Sequence, residues 1–174
     1  MRLFPAFVVL LLAGCSAVPK PAPRPAPRPI PVQTQAPRPT PLAQDWRDWP
    51  YTPGDWVYRQ DARGSIALFG LPGADAAFTI RCDTAANAVY LSRAGSATGA
   101  TAMTIRTSTM LRTLPAQPTG GTPAYIAAAV QPRDSLLEAI GFSRGRFVVE
   151  QAGYPTLVIP SWAEIERVTE DCRR

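Results

Sequence analysis

Gly141-Phe-Ser-Arg-Gly145 fits G-x-S-x-G, a spacing that can raise a nucleophilic serine on a strained strand-to-helix turn and would suit ester hydrolysis. A serine hydroxyl is a weak nucleophile until a base takes its proton, usually histidine and sometimes lysine. The chain has no histidine, and its lysine is Lys20, far upstream. The order of elements is also reversed. Ser135 to Ile140 reads as a helix and Arg146 to Glu150 as a strand, so Ser143 leaves a helix and enters a strand. Gly141 and Gly145 then read as a helix stop and a turn, and we expect no catalytic residue here.

Other chemistry finds little support. The carboxylates Glu164, Glu166, Glu170 and Asp171 could form a glycosidase pair, yet they lie on one short helix and read as its solvated side. Phosphate-cradling and dinucleotide fingerprints are missing from the sequence. With no histidine and no C-x-x-C spacing, neither a metal nor a cofactor is expected. Arginines are the plentiful functional side chains. Arg81 and Arg106 fall on the polar phase of their strands, and Arg144 and Arg146 flank the Ser143 turn. If they converge they make a bidentate site for carboxylate or phosphate, or for a partner; if not, they form scattered salt bridges on a water-facing sheet. Trp46 and Trp49, with Tyr51, Trp56 and Tyr58, crowd one stretch and read either as a covering flap or as a platform for stacking sugars.

The elements that must position these groups follow from periodicity. Apolar and polar residues alternate in Ser65–Phe69, Ala77–Cys82, Ala88–Arg93, Ala102–Thr107, Arg146–Glu150 and Thr156–Ile159, which read as strands. Thr122–Val130 reads as a further strand, although its alanines favour helix. Gly- and Pro-rich breaks between the segments make most neighbours antiparallel. Ser135-Leu-Leu-Glu138 and Ser161-Trp-Ala-Glu164 match the capping box and mark two short helices. The expected fold is α+β, a mainly antiparallel sheet of about six to eight strands with two short helices.

On the last helix Trp162, Ile165, Val168 and Cys172 form one apolar stripe, and Cys82 is in phase with Phe78 and Ile80 on its strand. Two independent periodicities thus send both sulfurs to the core.

The N-terminal residues set the expectation for the compartment. Arg2 precedes the apolar run Leu3–Leu12, which would rise about 15 Å as a helix, half of a hydrocarbon core and too little to span it. The run ends in Leu12-Ala13-Gly14-Cys15, which resembles the lipobox of bacterial lipoproteins. That resemblance implies cleavage before Cys15, lipidation of its thiol and, with Ser16 following, sorting to the outer membrane, facing the periplasm. In that oxidising compartment Cys82 and Cys172 remain as an even pair and are expected to be bonded, closing a loop worth about 4.6 kcal/mol of chain entropy; two free buried thiols are the alternative.

Residues 16 to 42 repeat Ala-Pro-Arg-Pro at Ala22, Ala26 and Ala36 and cannot build a core. About 27 such residues in polyproline II geometry reach about 80 Å, a stalk between anchor and domain. The expected organisation is a signal peptide over 1–14, lipidated cysteine and stalk over 15–44, and a globular domain over 45–174. Of the 18 basic residues, Arg2, Lys20, Arg24, Arg28 and Arg38 precede the domain, which leaves 13 arginines against 13 carboxylates. A neutral exported domain gives no field for nucleic acid, and none is expected as a partner.

Ile80-Arg-Cys82 with its following hairpins, and Glu170-Asp-Cys172-Arg173 at the end, resemble small disulfide-bonded envelope proteins of the invasion-associated locus B and type VI secretion-associated accessory families. The whole reads as a non-catalytic binding or scaffolding module, tethered to the membrane by lipid, with an envelope protein or peptidoglycan as partner. The competing reading is a periplasmic inhibitor of lysozyme or protease that plugs a cleft with Thr113–Thr122.

Overall fold

The computed structural model describes residues 44–174, which belong to one compact unit. The expectations for the signal run, Cys15, Ser16 and the proline stalk lie outside the described residues. The order of elements is a 3-10 turn (Trp46–Asp48), β1 (Asp55–Asp61), β2 (Gly64–Gly70), β3 (Phe78–Asp83), β4 (Ala88–Ala94), β5 (Thr101–Arg106), β6 (Leu111–Pro118), β7 (Tyr125–Val130), α1 (Ser135–Gly141), β8 (Arg146–Gln151), β9 (Leu157–Pro160) and α2 (Ala163–Arg173).

Nine antiparallel strands run in the order β1-β2-β3-β4-β7-β6-β5-β8-β9, more than the six to eight expected. The two that periodicity did not reveal are β1 and β6. β1 was hidden in the aromatic entrance, where Trp56 and Tyr58 alternate with Asp55, Val57 and Arg59. β6 was hidden by Pro115 and Pro118, because proline removes a ladder donor. It tolerates Pro115 because it pairs with β5 along Leu111–Ala116 but meets β7 only at Gln117 and Pro118. For the same reason Thr113–Thr122 is not the exposed loop expected, since its first six residues are strand.

The bend at β6 lets the two halves of the sheet face each other. Phe78 of β3 meets Phe147 of β8 edge-on at 5.8 Å, and Trp56 of β1 lies 5.4 Å from Phe69 of β2. Ile80, Leu91, Met103, Ile105, Ile126 and Ile159 are wholly buried with them. Trp56 also donates its indole N–H to Pro160 O at 2.9 Å, and Thr52 N–H donates to Val158 O at 2.9 Å, so the chain entering β1 covers the β9 edge. Arg93 points into this interior with 3% exposure, donates to Pro155 O at 3.0 Å and stacks on Tyr154. Burial pushes its pKa down.

Helix α2 lies against β1 to β4 on this same inner side, with Ile165, Val168 and Thr169 buried. Cys172 is bonded to Cys82 of β3, with their Cα atoms 5.3 Å apart. Gly64 shows how tightly the β1–β2 hairpin turns over that strand: its φ is +136° and a Cβ would stand 2.7 Å from Cys82 O. Neither capping box forms. Asp134 caps α1 by accepting from Leu136 N–H at 2.8 Å, one residue earlier than expected, and Trp162 occupies the N-cap of α2 without a side-chain cap bond.

Reducing the disulfide, or replacing Cys172 with serine, should lower stability by about 2–5 kcal/mol in urea titrations. A transition unchanged by reductant would show that packing alone holds α2.

Candidate binding face

Because the inner face of β1 to β4 is filled, the alternating residues of those strands line the opposite face, and β7 and β6 extend it. Together they enclose an open concavity of about 1110 Å³. Six strands at about 4.8 Å spacing make it about 24 Å wide, broader than a small-molecule pocket.

Register sorts its lining into three rows across the sheet. The first runs from Asp55 beside Gly70 of β2 to Tyr125 beside Ala94 of β4, with Asp75 in the loop after β2. The second is Val57, Leu68, Thr79, Ser92, Ala127 and Gln117, paired neighbour to neighbour. The third is Arg59, Ile66, Arg81, Tyr90 and Ala129. Asp55 and Arg59 are four residues apart on one strand, so the acidic and basic rows are separated by about 14 Å with an uncharged row between.

Several of these charges are already engaged. Arg81 makes a bidentate pair with Asp61 at 3.0 and 2.8 Å, and Arg63 reaches Asp83 at 2.5 Å. The Arg81 hydrogen bonds, then the Arg63 backbone N–H, hold the Asp61 carboxyl at about 2. Arg59, Asp55 and Asp75 make no ion pair among the described residues. Tyr125 donates its hydroxyl to Ala76 O at 2.8 Å; burial and then the Asp75 charge push its pKa up, keeping it a neutral donor.

The four arginines singled out in the sequence do not form one site. Arg81 lies on the concave face. Arg106 pairs with Glu150 at 3.2 Å in the other half of the sheet. Arg146 donates to Trp49 O and stacks 4.0 Å over Tyr51, and Arg144 is exposed in the Ser143 turn. Trp46 and Trp49, the candidate sugar platform, bracket the 3-10 turn half-buried, with Arg47 5.2 Å over Trp46. Ser143 is 5% exposed and locks its turn, accepting from Ser108 N–H at 3.0 Å and donating to Arg146 O at 2.5 Å. The carboxylates of α2 are not all solvated: Tyr58 donates to Asp171 at 2.5 Å, and Glu166 lies against Gly141 of α1. Burial raises the Glu166 pKa, opposed by Arg173 and aided by the nearby charges of Glu170 and Glu138.

No group of three metal-ligating side chains occurs among the described residues, and no helix among them is long and apolar enough to cross a membrane. The residues missed in the sequence, Asp55, Arg59, Tyr90 and Tyr125, carried a faint signal, the polar phase of strands otherwise read for their core. Comparison with protein families, curated proteins and solved structures gives no match for the chain.

Two outcomes follow. Ser143→Ala leaves Ser108 N–H without its partner and should cost about 1–3 kcal/mol in a urea titration while leaving the concave face intact. Asp61 has a depressed pKa in the fold, so its contribution is complete above its ordinary value of 3.8 and is lost as pH falls through about 2. The stability difference between wild type and Asp61→Asn should therefore be constant near neutrality and vanish at the acid end; a difference that persists there would assign the effect to packing.

Proposed function

We propose that the chain is a lipid-anchored envelope protein whose domain works as a non-catalytic binding module, held in the periplasm on its proline-rich stalk. The lipobox-like Leu12-Ala13-Gly14-Cys15 and the Ala-Pro-Arg-Pro repeats support the tether. The concave face carries the binding reading: an acidic row and a basic row, with Asp55, Asp75 and Arg59 outside any ion pair among the described residues, separated by a row of uncharged residues.

The occupant that this charge pattern suits is an extended segment of a partner polypeptide. In an extended chain residues i, i+2 and i+4 share a side, and i to i+4 spans about 14 Å. A segment of the form basic-x-apolar-x-acidic lying along the strands would set its cation against Asp55 and Asp75, its apolar side chain against Val57 and Leu68, and its carboxylate against Arg59. Each matched charge adds specificity more than raw affinity.

A photo-reactive phenylalanine analogue in place of Tyr90, introduced into the full chain in intact cells, should give one discrete protein adduct whose crosslinked peptide has that pattern. Asp55→Lys combined with Arg59→Glu should reduce the adduct about tenfold or more, since a tenfold change needs only about 1.4 kcal/mol. Adducts that are absent, or indifferent to this charge reversal, would sink the reading.

A further inference from the structure

The described residues expose six large hydrophobic side chains: Tyr51, Val57, Leu71, Leu111, Phe142 and Trp162. Val57 and Leu71 belong to the concave face. Of the other four, Tyr51, Phe142 and Trp162 are tied to the turn from Gly141 to Arg146, and Leu111 follows the β5–β6 turn that is bonded to it through Ser108.

Phe142 is the C-cap of α1 and 73% exposed. Tyr51 reaches the turn by donating its hydroxyl to Gly145 O at 3.1 Å. Ser161 N–H donates to the same carbonyl at 3.3 Å and so places Trp162 beside it. Gly141 also packs on Glu166, four residues on from Trp162 and thus on the same side of α2. Ser108 is bonded to both Ser143 and Arg144, bringing the β5–β6 turn, and with it Leu111, to this end. Tyr51 and Trp162 are each 46% exposed and Leu111 59%. A single exposed apolar residue is ordinary, whereas four about one turn form a patch that water disfavours.

Arg144 stands exposed within the patch, and Arg146 lies on the Tyr51 ring. Tryptophan, tyrosine and arginine each have an apolar part and a wet one and settle at a bilayer's headgroup layer, while phenylalanine belongs to the apolar side that faces the acyl boundary. The described chain also enters here, since Arg146 holds Trp49 O and Tyr51 holds the turn. Upstream in the sequence lie Lys20, Arg24, Arg28 and Arg38 with no carboxylate among residues 1–44, then Cys15 and the apolar run. In sequence, the described chain at this end follows directly on that basic segment.

We propose that the Phe142 turn, with Tyr51, Leu111, Trp162 and Arg144, is an interfacial docking face that seats the domain on phospholipid headgroups. Its partner rests on the tethered reading above; its geometry does not. Seated this way, the domain would dip the Phe142 and Trp162 side chains toward the acyl boundary and leave the strand faces in water.

The test uses the full-length protein reconstituted with phosphatidylcholine vesicles, with and without phosphatidylglycerol, whose acyl chains carry bromine near the headgroup. Tryptophan fluorescence should be quenched by these chains. Quenching should fall by more than half in Trp162→Phe, and also in Phe142→Asp, an exposed position whose replacement leaves the core untouched. Equal quenching in wild type and both variants, or none in any while the protein remains bound to vesicles, overturns the docking face and leaves the tether standing. Failure of the protein to associate with vesicles overturns both. Association that persists when Cys15 carries no lipid and the apolar run is removed, with the same dependence on Phe142, upholds the docking face without the tether.

Discussion

The placement of α2 against the inner face of β1 to β4 decides which side of those strands can meet a partner. Strand side chains alternate, so filling one face commits the other to solvent. Ile165, Val168 and Thr169 complete the packing, and the Cys82–Cys172 bond fixes the helix to the strand at the centre of that half. Without the helix, the inner face of β1 to β4 would lose part of its cover and the two sides would compete for burial. With it, the residues of the opposite phase are free to carry charge.

The bend at β6 is the second constraint and has a local origin. A strand bonded on one side for six residues and on the other for two can change direction between its neighbours, and Pro115 falls where only one neighbour needs its backbone. The two half-sheets can then close over Phe78 and Phe147, while the outer face of the first half curves into a concavity.

Much of this was legible in the sequence, for identifiable reasons. Six strands were readable from their alternation and β7 only against the helix preference of its alanines; β1 and β6 were not, because Trp56 and Tyr58 read as an aromatic flap and Pro115 as a breaker. The inward direction of both sulfurs was readable since each lies in phase with several apolar residues. The capping boxes misled: Asp134, already bonded to Arg112 at 2.6 Å, is a better acceptor for the first turn of α1 than Ser135, and Ser161 is drawn instead to Gly145 through its backbone. The concave face was not legible, since the strands that line it, β1 to β4 with β6 and β7, are brought side by side only by the sheet order and register.

Register also separates charge locally in a domain with equal numbers of arginines and carboxylates. A neutral total removes any long-range attraction, so only local arrangement can discriminate. At physiological ionic strength the screening length is about 8 Å, shorter than the roughly 14 Å between the acidic and basic rows. The rows therefore act on a ligand as two separate charges and do not cancel to a field of zero. The partner charges that fit must have that spacing, which the pitch of an extended chain supplies. A single displaced pairing between β1 and β2 would turn Asp55, Val57 and Arg59 inward and Trp56 outward, so the buried Trp56 indole and its bond to Pro160 protect the charge spacing as well as the core.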